Sequence, residues 1–127
     1  MVLRLGSKGE ELNLLIVQGA SFGPYLATMT NPNGTPVNLT ACTIRGAIAK
    51  TPNSPVLVRL EVAITDALKG EYRFSLATDV TASFAAGRTE NDEQSRYVWS
   101  LELIDSGANV IPLYFGEVQV FRGLAHE

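Results

Sequence analysis

The stretch YVWSLELI, Tyr97–Ile104, has a large apolar residue at every second position, and this pattern decides the fold class. One face carries Tyr97, Trp99, Leu101 and Leu103. Because successive side chains of a β-strand point to opposite faces, this spacing predicts a half-buried strand. The same period of two occurs in VLVRLEVAI (Val56–Ile64) and EYRFSL (Glu71–Leu76). Each is predicted to be one strand with its apolar side chains inward.

Four further segments have weaker strand patterns. They are ELNLLIV (Glu11–Val17), a segment around Tyr25–Met29, TIRGAIA (Thr43–Ala49) and VIPLYFGEVQVF (Val110–Phe121). In the last segment Leu113 belongs to one apolar phase and Val118 to the other. Gly116 lies where the phase changes, so we expect a β-bulge or a bend there.

The segment ATDVTASFAAG, residues 77–87, departs from the strand pattern. Thr78 is a suitable helix cap, Val80 and Phe84 are four residues apart, and Gly87 is placed as the residue that ends a helix. We expect a short helical turn whose apolar pair closes one end of the core. The next segment, RTENDEQS (Arg88–Ser95), is wholly polar and is predicted to be a solvated loop.

These elements predict an all-β fold, an immunoglobulin-like antiparallel β-sandwich of about seven strands with one short helical turn. The likeness is one of architecture, because Cys42 is the single cysteine and no internal disulfide can form. We divide the chain into a flexible N-terminal arm (residues 1–10), a sandwich domain (11–122) and a C-terminal tail (123–127).

The segment NPNGTPVNLT, residues 31–40, predicts a tight reversal before the fourth strand pattern. Pro32 presets φ for a turn, and both Asn33 and Gly34 accept left-handed conformations. Pro36 cannot donate to a ladder, so the returning chain should begin as an edge or a connection.

Bulk composition excludes several classes of function. The chain has 127 residues and a formal net charge of −3, with no cluster of Lys or Arg, which argues against nucleic-acid binding. No apolar run approaches the roughly 18 residues that a membrane span requires. The N-terminal residues lack the apolar block and cleavage site of a signal peptide.

No constellation of catalytic or metal-binding residues is recognisable, so we expect neither an enzyme nor a cofactor. The one histidine, His126, lies next to the last residue, where it is a poor base for a triad. No His and Cys spacing suits zinc. Calcium binding by the acidic segment 90–93 is the less favoured interpretation of a polar loop. The aromatic residues mostly share phase with Leu or Val, which indicates core; Tyr25, Tyr114 and Phe121 have ambiguous phase.

The segment QGASFGPYLATMTNPNGTPVNLTACTIRGAIAK, residues 18–50, resembles the opening of a β-sandwich module of phage and prophage virion proteins. That module has a Q-G-x-x-F strand start followed by D-x-x-G-x-P-[VI]-[ND]-L-T-G-[YC]-T-x-[RK]. The matching residues are Gln18, Gly19, Phe22, Asn33, Gly34, Pro36, Val37, Asn38, Leu39, Thr40, Thr43 and Arg45. Asn31 replaces the usual Asp. Ala41 replaces the usual Gly and argues against a positive φ at that position.

Later segments also resemble this module. GEYRFSLATDVTASFAAG is similar to its G-x-[YF]-x-[FLV] strand and T-x-x-x-x-L/F-x-x-G turn. YVWSLELIDSGANVIPLYFGEVQV is similar to its Y-x-[YW]-D-L-E-L-x-D-x-x-G-x-V…G-x-V-x-V ending, with Ser100 in place of the usual Asp. The likeness therefore runs from about Gln18 to Val120.

The resemblance implies a bacteriophage virion structural protein, similar to the N-terminal module of baseplate upper proteins. Such a chain would be made in the bacterial host cytoplasm and incorporated into the virion in several copies or as a homo-oligomer. It would act as a tail, baseplate or fibre-attachment adaptor whose partners are other virion proteins. Two alternatives stay open: a head decoration or head–tail joining protein, and a carbohydrate-binding module for host surface glycans.

Candidate partner-binding residues lie in two places. They are Val2, Leu3, Arg4 and Leu5 in the N-terminal arm, and Asn31 and Asn33 in the turn. An arm or an edge strand offers groups for strand addition, and a rigid turn holds a loop in a defined position for a partner.

Overall fold

The computed structural model describes residues 9–86 and 95–122, and within them the regular secondary structure is almost entirely β, with one short helix. The elements are β1 (Glu10–Glu11), β2 (Leu14–Val17), β3 (Phe22–Thr28), β4 (Thr43–Ala49), β5 (Val56–Arg59), β6 (Glu61–Asp66), β7 (Glu71–Leu76), α1 (Thr78–Ala82), β8 (Arg96–Ile104) and β9 (Val110–Phe121). Two sheets pack face to face around one apolar core, which confirms the all-β sandwich.

The larger sheet has six strands in the order β1-β9-β8-β4-β5, and β2 also pairs with β9. Strands β1 and β2 run parallel to β9, so this sheet is mixed and not purely antiparallel. The stretch that decided the fold class forms most of β8, in the middle of this sheet. Its four apolar residues are all buried, as the alternation predicts.

The smaller sheet has three strands in the antiparallel order β3-β7-β6. Tyr72, Phe74 and Leu76 of the central strand are buried, which confirms the predicted face of EYRFSL. The ring of Phe74 stacks on that of Trp99 in the other sheet, with 6.1 Å between centroids. This aromatic contact joins the two layers at the centre of the core.

The segment VLVRLEVAI forms two strands where the sequence predicted one. Strand β5 pairs with β4 in the larger sheet, whereas β6 pairs with β7 in the smaller one. The chain passes between the sheets at Leu60, which is buried and whose N–H donates to Gly46 O at 3.0 Å. Because the apolar residues alternate with the same period on both sides of Leu60, the sequence pattern does not reveal that the chain passes from one sheet to the other there.

The apolar phase of β9 changes as predicted, but the bulge lies at Leu113 and not at Gly116. Leu101 pairs with Tyr114 and Glu102 pairs with Pro112, which leaves Leu113 without an opposite residue. Gly116 has a different role, because a Cβ there would collide with the carbonyl group of Leu12. The glycine therefore allows the N-terminal strands to lie close against β9.

Helix α1 closes one end of the core, but its cap is not the predicted one. Ala77 is the N-cap, no side chain caps the helix, and Thr78 is its first residue. Phe84 is buried and packs edge-on against Tyr97 at 5.1 Å, and its carbonyl accepts a hydrogen bond from the Gln18 side chain at 2.6 Å. Val80 is half-buried against the same core.

The structure describes only part of the predicted end of this helical segment and of the loop that follows it. Gly87 lies outside the described residues. Of the segment predicted to be a solvated loop, only Ser95 is described, and it is fully buried. The prediction is therefore wrong at that residue, because the chain has already entered the sandwich before β8 begins.

The Thr81 side chain links α1 to the sandwich through a hydrogen bond, and replacing this residue with valine is expected to destabilise the fold. Its fully buried hydroxyl donates to Ala20 O at 2.8 Å and lies 3.0 Å from Thr78 O. Valine keeps the shape but leaves Ala20 O without this donor, so Thr81→Val should lower the free energy of unfolding by about 1–2 kcal/mol. Urea unfolding measures the change.

Thr78→Val is the matched control, because the Thr78 side chain is exposed and makes no capping bond. It should change the free energy of unfolding by less than about 0.5 kcal/mol. Equal losses in the two variants would show that the Thr81 hydroxyl does not fasten the helix.

The turn at NPNG is confirmed as a tight reversal. Gly34 N donates to Asn31 O at 2.9 Å, and Gly34 has a φ of +89°. The returning chain forms an isolated bridge, Thr30 to Pro36, and not a regular strand, as expected for a residue without an N–H. The prediction that Ala41 avoids a positive φ is wrong, because this residue adopts a φ of 63°.

The physical reason for the Ala41 conformation is a second tight turn. Cys42 N donates to Leu39 O at 3.0 Å, so the chain must reverse within these residues. Leu39 is almost fully buried and anchors the turn from one side, and β4 begins immediately after Cys42. The strain of a left-handed alanine is offset by these tertiary constraints.

Candidate partner-binding surface

The two asparagines predicted to bind a partner, Asn31 and Asn33, use their side chains to build the turn. Asn33 Oδ1 accepts hydrogen bonds from the N–H and the hydroxyl of Thr35, at 3.1 and 2.7 Å. Asn31 Nδ2 donates to the same hydroxyl at 3.1 Å. Asn33 is exposed and Asn31 half-buried, so the turn is a rigid surface feature. The other candidates, Val2 to Leu5, lie outside the described residues.

An apolar side of the sandwich is a stronger candidate than the turn. Within residues 9–86 and 95–122, β2 pairs only with β9 and β3 pairs only with β7, so both are edge strands of the described sheets. Nine large apolar side chains are exposed in the described part of the chain, and five of them lie on or beside these strands. They are Leu12, Leu15, Val17, Tyr25 and Leu26, which together define the open side of the sandwich.

A groove of about 380 Å³ runs along the open side between the two sheets. It is lined by Leu12, Asn13, Leu14, Leu15, Phe22, Tyr25, Leu26, Ala27, Phe74 and Tyr114. None of these lining residues carries a charge. Leu14, Phe22 and Phe74 belong to the core, so the groove reaches inward between the layers.

Tyr25 and Leu26 are the most prominent residues on the β3 side of the groove. The Tyr25 ring packs edge-on against Phe22 at 4.9 Å and also contacts Phe74 at 5.9 Å. Half of Tyr25 and 77% of Leu26 are nevertheless exposed. The ring is thus held in place by the core while its outer face is free for a partner.

The β1 and β2 side of the groove is fixed by contacts to β9 and β8. Leu12 N donates to Phe115 O at 2.8 Å, and Trp99 Nε1 donates to Leu12 O at 2.6 Å. Asn13 Oδ1 accepts from Glu117 N at 3.0 Å. The short break between β1 and β2 is therefore anchored in the sandwich and not loose.

Two tyrosines near this side, Tyr72 and Tyr114, have pKa values raised above the ordinary value. Burial raises the pKa of Tyr72 above its ordinary value, and the neighbouring Tyr114 and the charge of Glu10 add to the shift. Burial likewise raises the pKa of Tyr114, again with a contribution from Glu10. Both phenols therefore stay protonated. The Tyr72 hydroxyl is buried without a hydrogen-bond partner in the described part of the chain.

A second concavity, of about 680 Å³, lies on the outer face of the larger sheet. Small residues such as Ala47, Ala49 and Ser100 line it, with Phe115 and the carboxylate of Glu117 on the β9 side. Sugar-binding sheets present rows of exposed aromatic rings. Among the described aromatic residues Tyr25 alone is exposed, and it lies on the open side, so this face offers no such row.

Sequence reasoning missed Leu12, Leu15 and Leu26 as surface residues. A signal for Leu15 was present, because ELNLLIV is apolar at both phases after Asn13 and a strand buried on one face needs only one apolar phase. Leu12 and Leu26 had no such signal. Its exposure depends on β3 being an edge strand, which is a property of the sheet order.

Among the described residues there is neither a cluster of potential metal ligands nor a helix that could span a membrane. No group of three or more His, Cys, Asp or Glu side chains converges within residues 9–86 and 95–122. No helix in these ranges is both long enough and apolar enough to cross a bilayer.

The fold and the open side define a β-sandwich protein with exposed apolar edge strands. No protein-family model matches the chain, and no curated protein matches it.

Proposed function

We propose that this chain is a structural assembly protein of a bacteriophage virion, which acts through protein–protein contacts and not through catalysis. The observation that carries the proposal is the open side, where two edge strands expose apolar side chains around a groove without charged residues. The virion context rests on the resemblance of residues 18–120 to virion β-sandwich modules. A tail, baseplate or fibre-attachment position follows from the same resemblance.

The composition of the edges supports a binding role. Natural proteins protect exposed sheet edges with lysine, other charges or proline, because free backbone groups recruit other strands. Here β2 presents Leu15 and Val17, and β3 presents Tyr25 and Leu26. Pro24 protects only one end of β3. Contiguous exposed apolar surface of this kind is typical of sites that a partner covers.

Leu26→Asp should prevent assembly without unfolding the protein. Because the side chain is 77% exposed in the free chain, the substitution should leave the thermal unfolding midpoint unchanged. In an apolar interface the carboxylate would be buried without a partner, so incorporation into particles should fall at least tenfold. Quantitative mass spectrometry of purified particles, after complementation in the phage that encodes the chain, measures incorporation.

Leu68→Asp is the matched control, because Leu68 is 72% exposed but lies in the turn between β6 and β7, away from the open side. It should be incorporated as efficiently as the wild type. Equal incorporation of both variants would exclude the open side as the assembly surface. Absence of the wild-type chain from purified particles would exclude the virion function itself.

A further inference from the structure

The turn segment contains the one Asn-Gly pair of the chain, Asn33–Gly34. In such a pair the glycine nitrogen can bond to Cγ, the side-chain amide carbon of the asparagine, because glycine has no side chain to hinder the approach. The asparagine Nδ2 group and the glycine N–H proton leave together as ammonia, and a succinimide ring remains. Water then opens the ring to aspartate or isoaspartate, so this deamidation needs no enzyme and no reactant except water.

The backbone around Asn33 forms a type I turn followed by a left-handed glycine. Gly34 N donates to Asn31 O at 2.9 Å, which places Pro32 and Asn33 at the two central positions. A type II turn would require a positive φ at Asn33, and this residue does not have one. The φ of +89° at Gly34 and the bond from Asn31 N to Thr35 O at 2.7 Å complete a three-residue loop.

This turn keeps the reacting atoms of Asn33 and Gly34 apart. The second central residue of a type I turn has a ψ of about 0°, which leaves the Cβ atom roughly 120° of rotation away from the arrangement that closes the ring. The Gly34 nitrogen must also lose its proton before it attacks, and this proton is engaged with Asn31 O. Both obstacles disappear only when the turn opens.

The Thr35 side chain and backbone hold the turn closed. Asn33 Oδ1 accepts from the N–H and the hydroxyl of Thr35 at 3.1 and 2.7 Å, and Asn31 Nδ2 donates to the same hydroxyl. The reaction requires rotation about the Cα–C bond of Asn33. That rotation moves Thr35 relative to the Asn33 side chain, so it breaks both bonds to Oδ1.

We propose that Asn33 is a deamidation site that the folded turn protects, so that it reacts only in molecules whose turn is open. The rate in the folded chain is then the rate of an unprotected Asn-Gly pair multiplied by the open fraction. This inference is independent of the virion function, because it depends only on the turn.

The two products have different effects on the turn. Aspartate keeps an acceptor oxygen on Cγ, so the bonds to Thr35 can persist. In isoaspartate the main chain runs through Cβ and Cγ, which inserts one extra carbon between Pro32 and Gly34. Gly34 N then no longer lies in place to donate to Asn31 O, so the isoaspartate product removes the tight reversal.

Peptide mapping of the full chain measures the protection. The protein is incubated at mildly alkaline pH, and mass spectrometry with chromatographic separation of isoaspartate follows the loss of intact Asn33. A synthetic peptide of residues 28–38 in the same buffer gives the rate without the sandwich. Asn33 should react at least tenfold more slowly in the full chain than in the peptide. Equal rates would overturn the proposal.

Thr35→Val tests whether the Thr35 hydroxyl contributes to this protection. Thr35 is exposed, and valine keeps the backbone N–H and the branched shape, so the sandwich should stay folded. The hydroxyl bonds to Asn31 and Asn33 are lost, the turn opens more often, and the deamidation rate should rise about three- to tenfold.

Thr40→Val is the matched control, because Thr40 is also exposed and valine retains its backbone bond to Asn38 Oδ1 at 2.9 Å. This variant should react at the wild-type rate. An equal rise in both variants, or no rise in Thr35→Val, would overturn the proposal. A slower reaction in Thr35→Val would overturn it as well, because the hydroxyl would then activate the Asn33 amide and not protect it.

Discussion

Trp99→Ala is expected to lower the free energy of unfolding by about 3–5 kcal/mol, which is a large fraction of the stability of an ordinary domain. The indole ring lies between Phe74 of the smaller sheet and Tyr114 of β9, at 6.1 and 6.2 Å between centroids. Its Nε1 also donates to Leu12 O at 2.6 Å. Alanine removes the contact between the layers and leaves a cavity where the N-terminal strands are anchored. Urea unfolding followed by circular dichroism measures the loss.

Trp99→Phe separates the two contributions. Phenylalanine keeps an aromatic ring between Phe74 and Tyr114 but cannot donate to Leu12 O, so it should cost about 1–3 kcal/mol. If phenylalanine were as destabilising as alanine, the hydrogen bond and not the stacking would hold the layers together. If alanine cost less than about 1 kcal/mol, the ring would not be central to the core.

Gly70→Ala should have the second large effect, a loss of roughly 2–4 kcal/mol. Gly70 has a φ of +69°, and a Cβ there would collide with Met29 O and approach Val37 O to 2.9 Å. Both carbonyls belong to the backbone, so no side chain can move to relieve the contact. Gly70 O also accepts from Met29 N at 2.8 Å, so the turn before β7 would separate from the end of β3.

Gly34→Ala is the matched control for Gly70→Ala. Gly34 also has a positive φ, +89°, but a Cβ there meets nothing within 4 Å. It should cost only the left-handed conformation of alanine, about 1–2 kcal/mol. Thermal unfolding of the two variants compares the effects directly. Equal losses would show that backbone conformation alone, and not the close approach, makes Gly70 necessary.

The candidate surface was only partly predictable, and particular residues show why. Asn31 and Asn33 were predicted because a rigid turn holds a loop in a defined position for a partner, and their side chains help to build that turn through bonds to Thr35. The first residues of the chain were also predicted, and they lie outside the described residues. Leu26 was not predicted, because exposure of a strand residue depends on whether another strand lies beside it.

The sequence by itself determined where most of the strands lie and which faces several of them bury. Alternation in β4, β7, β8 and β9 reports which side chains avoid water, a property that each residue carries into any tertiary arrangement. The sheet order, the crossing at Leu60 and the parallel pairing of β1 and β2 with β9 were decided by the tertiary structure. These features depend on which strand lies next to which. Period-two patterns are alike in every strand, so they cannot distinguish one neighbouring strand from another. The open side exists because β2 and β3 have no further strand beside them among the described residues.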